Sequence, residues 1–130
     1  MSPNRLNNST ILIVEDHDDA RTAMAILLGR LGANVLQARN GLEGLEAVKN
    51  SRPDLVITDL QMPRMNGFEL LREIRSLRPE AGGTTPMIAM TALDTGLERA
   101  RLLNLGFQAC VQKPFTVETL VETIRLLLDD

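Results

Sequence analysis

Several residue types are scarce in this sequence of 130 residues, and each shortage narrows what the protein can be. Tryptophan and tyrosine are absent and phenylalanine occurs three times, so few rings are available to stack on a flavin. The only cysteine is Cys110. A single thiol forms no intramolecular disulfide, which predicts a reducing, cytoplasmic location.

Long apolar runs and an excess of positive charge are also missing. No run approaches the roughly 20 apolar residues that span a bilayer, and residues 1–9 lack the apolar core of a signal peptide. The net charge is -3, which argues against a broad nucleic-acid-binding face. We therefore expect no membrane contact and no direct nucleic acid binding by this domain. The length predicts one domain over residues 10–130, preceded by a polar, flexible N-terminal segment over residues 1–9.

What the sequence does contain is a set of short aliphatic runs, each followed by polar or charged residues. Runs of this kind are typical of strands buried on both faces of a parallel sheet. The four runs are residues 11–14, 55–58, 87–90 and 109–112, and the residues that follow them are Glu15 and Asp16, Asp59, Thr91, and Lys113. Because the carboxyl ends of parallel strands share one edge of the sheet, these side chains are predicted to form a site.

Segments with helical spacing separate the runs, and together they predict the fold. Five strand-helix units in alternation indicate an α/β fold: a doubly wound five-stranded parallel sheet of order 2-1-3-4-5 with five helices, flavodoxin-like in arrangement. In this order strands 1 and 3 are neighbours, so Glu15 and Asp16 are expected to face Asp59. We expect Asp18 or Asp19 to cap the first helix.

Three carboxylates at one sheet edge repel each other and need a compensating cation. Magnesium prefers one or two carboxylates together with waters and phosphate oxygens, which leaves room for a phosphoryl donor. The Thr91 hydroxyl and the Lys113 amine would then each contact an oxygen of the moving phosphoryl group. His17, beside the acidic pair, is interpreted as a surface residue without a role.

Over residues 10–128 the chain resembles the receiver domain of two-component response regulators, the family that includes the chemotaxis receivers. The family pattern is an acidic pair after strand 1, an aspartate after strand 3 with Met-Pro and Gly beyond it, a hydroxyl residue after strand 4 and Lys-Pro after strand 5. This sequence supplies Glu15-Asp16, Asp59 with Met62-Pro63 and Gly67, Thr91-Ala92, and Lys113-Pro114.

The resemblance implies a phosphoacceptor domain that takes a phosphoryl group onto Asp59 from a histidine kinase or a histidine phosphotransfer protein. It implies that Asp16, Asp59 and the backbone carbonyl of Gln61 bind Mg²⁺, while Glu15 acts through water. The domain would be a signalling module that assists its own phosphorylation and dephosphorylation, not an enzyme acting on a separate substrate.

The resemblance also implies a route for output. Thr91 and Lys113 would bind the phosphoryl oxygens and report the modification to the face formed by helix 4, strand 5 and helix 5. That face would contact an effector domain, an output protein or a second copy in a homodimer. The family also implies a cis Lys113-Pro114 bond, which only proline adopts cheaply.

Two positions depart from the family pattern. Cys110 stands three residues before the lysine, where the family usually has the Tyr or Phe that acts with Thr91 as a switch. Leu93 stands two residues after the threonine, where a polar residue often tunes dephosphorylation. These departures bear on the output switch and on the lifetime of the phosphoryl group, not on the phosphorylated residue.

Other functions fit the sequence less well. A flavin carrier of the same strand order would bring its phosphate to the acidic run, and a P-loop is missing from the sequence. An aspartyl phosphatase needs a second acid two residues after its nucleophile, where Gln61 stands. The alternative that stays open is a receiver-fold interaction domain that signals without phosphorylation.

Overall fold

Strands and helices alternate along the chain, which the computed structural model describes at residue 6 and over residues 8–92 and 95–128. The strands are β1 (Thr10–Val14), β2 (Asn34–Ala38), β3 (Leu55–Asp59), β4 (Met87–Thr91) and β5 (Ala109–Gln112). The helices are α1 (Asp18–Arg30), α2 (Gly41–Ser51), α3 (Gly67–Arg75), α4 (Gly96–Leu105) and α5 (Val117–Leu128), with a 3₁₀ turn at Pro79–Ala81. Over these described ranges, none of the helices combines the length and apolarity needed to cross a membrane.

The five strands form one parallel sheet in the order β2-β1-β3-β4-β5. The predicted fold and strand order are therefore confirmed. Val14 pairs with Thr58 and Asp59 pairs with Met90, so β1, β3 and β4 end within a residue of one another. This register brings the residues that follow these strands to the same edge of the sheet.

Two apolar layers cover the sheet, one on each face, because successive strand residues point to opposite sides. On one face, alternate strand residues pack against α2, α3 and α4, and the buried residues there include Leu12, Val56, Leu70, Ile74 and Leu102. On the other face the remaining strand residues pack against α1 and α5, with Ile13, Ile57, Leu28, Leu120 and Ile124 among the buried residues. Burying each of these large side chains contributes about 1.5–3 kcal/mol.

Helices α2, α3 and α4 begin at side chains that accept a hydrogen bond from the first turn. The three capping residues are Asn40, Asn66 and Thr95. The predicted cap of α1 is wrong: His17 holds the N-cap position and no side chain caps the helix. Asp18 and Asp19 lie instead inside the first turn, where their charge favours the positive end of the helix dipole.

Leu6 joins the apolar layer on the α1 and α5 face. Its side chain is 3% exposed, and its backbone N–H donates to the carbonyl of Leu31 at 2.7 Å. Residues 1–5 and 7 lie outside the described residues, so the flexible segment over residues 1–9 stays a prediction.

Candidate functional site

Four strands deliver the predicted site residues to one edge of the sheet. Glu15 and Asp16 directly follow β1, Asp59 ends β3, Thr91 ends β4 and Lys113 directly follows β5. The backbone N–H of Lys113 donates to the carbonyl of Thr91 at 2.7 Å, which fixes the last two segments side by side. The Lys113-Pro114 peptide bond is cis, as the resemblance implied.

Lys113 bridges two acids that belong to different strands. Its Nζ lies 3.0 Å from Asp59 Oδ2 and 3.2 Å from Glu15 Oε1. Burial alone lowers the pKa of Lys113, but the hydrogen bond and charge of Asp59, together with Glu15, outweigh burial and raise that pKa above its usual range. Lys113 is therefore a fixed positive charge against both carboxylates.

Glu15 is a buried carboxylate, with its residue 1% exposed. Its Oε2 accepts from the His17 backbone N–H at 3.1 Å and lies 2.9 Å from His17 Nδ1. Burial raises the pKa of Glu15, but the contacts with His17 and the charge of Lys113 outweigh burial, so the pKa lies below its usual range. Glu15 is thus held in its charged form.

His17 was not predicted to take part in the site. Its side chain is 74% exposed, as expected for a surface residue, yet its ring contacts Glu15 and lies 3.5 Å from Asp16 Oδ1. The hydrogen bond to Glu15, followed by the charge of Asp16, raises the pKa of His17. The only sequence signal for this contact was its position two residues after Glu15.

The donor atoms fit a hard divalent cation. Oxygen atoms of Glu15, Asp16 and Asp59 and a ring nitrogen of His17 all lie within 4.8 Å of one another. Asp16 Oδ1 is buried, and within the described part of the chain it accepts no hydrogen bond. A buried carboxylate oxygen without a donor is costly, and a metal ion is the partner that suits it.

Asp59 is positioned by the backbone that follows it. Its Oδ1 accepts from the Leu60 N–H at 2.8 Å, and the Leu60 carbonyl accepts from the Gly67 N–H at 3.0 Å. A Cβ on Gly67 would collide with the backbone carbonyl oxygen of Asp59. Glycine at the start of α3 therefore permits the close approach that holds the Asp59 turn in place.

An open cavity of about 480 Å³ lies over this edge of the sheet. Its lining includes His17, Asp59, Gln61, Thr91 and Lys113. Phe68 of α3 and Arg101 of α4 form part of its wall. The structure thus brings together the predicted acceptor, hydroxyl and amine around one space large enough for a phosphoryl group.

Cys110, one of the two positions that depart from the family pattern, lies away from this cavity. It is buried in β5 within the apolar layer beneath α2, α3 and α4. Arg99 of α4 donates to its carbonyl oxygen at 3.4 Å. Leu93 lies outside the described residues.

The Met62 and Met65 side chains pack against the apolar layer beneath α2, α3 and α4.

A parallel α/β sheet with an acidic pair, a third acid, a hydroxyl and a lysine at its carboxyl edge defines a class of signalling domain, and comparison with known proteins identifies it. The family model described as the response regulator receiver domain matches residues 11–125. This chain therefore belongs to the response regulator receiver domain family.

The relatives include a response regulator and a sensor histidine kinase. The response regulator MprA of Mycobacterium sp. (strain KMS) is 36% identical over 118 residues, which are 91% of this chain and 50% of MprA. The sensor histidine kinase RcsC of Escherichia coli (strain K12) is 35% identical over 116 residues, which are 89% of this chain and 12% of RcsC. The chain thus spans about half of one relative and a small part of the other.

A solved structure agrees in fold. The receiver domain of the sensor histidine kinase PA1611 from Pseudomonas aeruginosa PAO1, described with a magnesium ion coordinated in its active site cleft, has a TM-score of 0.84 and 28% identity, covering 95% of this chain and 99% of that chain. The chain is a receiver domain of two-component systems. Domains of this family interact with histidine kinases and output domains.

Proposed function

We propose that Asp59 accepts a phosphoryl group from a histidine kinase or a histidine phosphotransfer protein. The observation that carries this proposal is the Asp59 carboxylate at the cavity, 3.0 Å from the Lys113 ammonium. An Asp59 oxygen attacks the phosphorus of a phosphohistidine, so that a P–O bond forms and the P–N bond breaks. The leaving imidazole nitrogen keeps the electron pair and takes up a proton.

Asp16, Asp59 and the backbone carbonyl of Gln61 are the proposed Mg²⁺ ligands, with Glu15 acting through water. The buried Asp16 Oδ1 that accepts no hydrogen bond from the described residues supports this assignment. The magnesium described in the PA1611 receiver supports it as well. When bound, the cation would neutralise charge on the phosphoryl group during transfer.

Lys113 and Thr91 are the proposed ligands of the phosphoryl oxygens. Lys113 already contacts the Asp59 carboxylate. Its ammonium is therefore placed to contact the phosphoryl oxygens when that carboxylate becomes an acyl phosphate. Thr91 is 6% exposed and lines the same cavity. Its hydroxyl would turn toward the new phosphoryl oxygen and shift the chain that leads into α4.

The output surface is proposed to be the face of α4, β5 and α5. Helices α4 and α5 carry exposed leucines, of which Leu97 is 85% and Leu126 is 74% exposed. An effector domain, an output protein or a second copy would cover them. Thr91 and Cys110 are the proposed switch positions, and the small buried Cys110 thiol replaces the swinging ring of other receivers.

Intact mass after incubation with acetyl phosphate and Mg²⁺ tests the proposal. We expect the mass of one phosphoryl group to be added, and none to be added in chelator or in Asp59→Asn. The matched control is Asp54→Asn, because Asp54 precedes the opposite end of β3 and, among the described residues, its carboxylate accepts only from the Thr10 N–H. Uptake by Asp59→Asn would show that another residue is the acceptor. No uptake by the wild type would favour the interaction domain that signals without phosphorylation.

A further inference from the structure

A second open groove, of about 520 Å³, lies between α3 and α4 on the outside of the molecule. Its floor contains the apolar side chains of Phe68, Leu71 and Leu105. Leu105 is 49% exposed although it is a large aliphatic side chain. The groove therefore offers partly uncovered apolar surface at a junction of two helices, where a partner's apolar side chain would gain from burial.

Three arginines, Arg72, Arg75 and Arg101, also line this groove. No carboxylate is among its described lining residues. Arginine keeps its charge under all physiological conditions. The groove therefore combines an apolar floor with a concentration of positive charge, although the chain as a whole carries a net charge of -3.

Arg75 is the least exposed of the three, and no acid among the residues that the structure describes pairs with it. Its guanidinium donates to the carbonyls of Gly83, Thr85 and Gly106 and to the side-chain oxygen of Gln108, at 2.8–3.1 Å. All four acceptors are neutral. A positive charge that is desolvated and bound only to neutral oxygens stays available to attract an anion from the groove side.

The other two arginines, Arg72 and Arg101, are exposed to solvent. Within the described chain, the Arg72 guanidinium has no ion-pair or hydrogen-bond partner. Arg101 pairs with Glu98 at 3.3 Å and lies over the Phe68 ring, with its guanidinium carbon 5.2 Å from the ring centroid. The Arg101 guanidinium is thus held beside the Phe68 ring in the lining of the groove.

We propose that this groove binds an acidic amphipathic segment of a partner protein. An aliphatic or aromatic side chain of the segment would rest on Phe68, Leu71 and Leu105, and its carboxylates would pair with Arg72 and Arg101. Nucleic acid is the less suitable anion, because a phosphate backbone would leave the apolar floor uncovered and the net charge of the domain is negative. The proposal does not depend on phosphorylation of Asp59.

Fluorescence anisotropy with the intact chain tests it, using a short labelled peptide of glutamate and leucine in helical spacing. The control peptide has lysine in place of every glutamate. We expect the acidic peptide to bind and the basic one not to bind. Combining Arg72→Glu with Arg101→Glu should weaken binding by at least about tenfold. Arg30→Glu, an exposed arginine on α1 on the other face of the sheet, should change it less than about twofold.

Chemical-shift mapping in the same samples locates the peptide, and circular dichroism shows whether the charge-reversed variant is folded. If that variant unfolds, the neutral pair Arg72→Gln and Arg101→Gln replaces it, and a several-fold loss is expected. Equal binding of both peptides, insensitivity to the arginine substitutions, or shifts confined to another face would overturn the proposal. Stronger binding of a single-stranded oligonucleotide than of the acidic peptide would overturn it as well.

Discussion

At the scale of single residues, the site depends on keeping Glu15 charged in a buried position. Glu15 is 1% exposed, and an isolated carboxylate so placed would be strongly destabilising. The Lys113 ammonium and two contacts from His17 compensate its charge. Lys113 therefore has a structural role before any phosphoryl group arrives.

Lys113→Met should lower the free energy of unfolding by about 1–3 kcal/mol at neutral pH in chelator, since it leaves the Glu15 charge without its ammonium partner and the pair is only partly exposed. The pKa of Glu15 is lowered in the folded protein, so this stabilisation is present above the usual glutamate range and is lost as pH falls through the lowered pKa. The difference in unfolding free energy between variant and wild type should therefore shrink in acid.

Urea unfolding at several pH values measures this difference, and Lys49→Met, at an exposed lysine, is the control. An equal loss of stability at all pH values would contradict the pairing of Lys113 with a charged Glu15.

Asp16→Ala should abolish the stabilisation that Mg²⁺ gives to the wild type. A ligand present at ten times its Kd adds about 1.4 kcal/mol, provided that it binds the folded state only. Without metal, the variant should be as stable as the wild type or more so, because one of several crowded acids is gone. Thermal unfolding with and without Mg²⁺ measures both effects, and Asp19→Ala, in the exposed first turn of α1, is the control. A variant that Mg²⁺ still stabilises would exclude Asp16 as a ligand.

At the scale of elements, the strand ends were predictable and several side-chain contacts were not. The aliphatic runs predict which residues follow each strand. The alternation of strands and helices predicts the strand order, and that order places Asp59 beside Glu15. The contact of His17 with Glu15 depends on the backbone turning back at the N-cap of α1, which an acidic run does not reveal. His17, and neither Asp18 nor Asp19, occupies the cap position.

The C-terminal end of α3 is attached to the rest of the fold by Arg75. Its four hydrogen bonds reach the loop before β4 and the loop before β5. No periodicity marks this residue in the sequence, because the oxygen atoms that it binds come from segments up to 33 positions away. Such a contact follows from the packed fold alone.

Arg75→Lys should cost about 2 kcal/mol, since one ammonium cannot span the two pairs of acceptors that the planar guanidinium joins. Arg72→Lys on the same helix is the matched control and should change stability by less than about 0.5 kcal/mol. Chemical denaturation compares the two. Equal stabilities of the two variants would show that the hydrogen bonds of Arg75 contribute no more to stability than the hydrogen bonds with water that replace them.

At the scale of the whole molecule, Leu6 packs in the apolar layer on the α1 and α5 face, although it precedes the predicted start of the domain at residue 10. Leu6→Ala should lower the free energy of unfolding by about 2–3 kcal/mol, because it removes a buried side chain from the layer under α1. Leu97→Ala, at a leucine that is 85% exposed, should have almost no effect. An equally small effect of Leu6→Ala in thermal unfolding would support a flexible segment over residues 1–9.

The site is assembled from four chain segments that only the completed sheet brings together. No continuous stretch of the sequence contains it, and a fragment that lacks β5 would lack Lys113 and the Thr91 contact with it. Occupancy of the site by a cation or an anion is therefore a reporter of cooperative folding. Ligand release during denaturation should therefore follow the same transition as unfolding measured by far-ultraviolet circular dichroism. Ligand binding and tertiary structure are then gained and lost together.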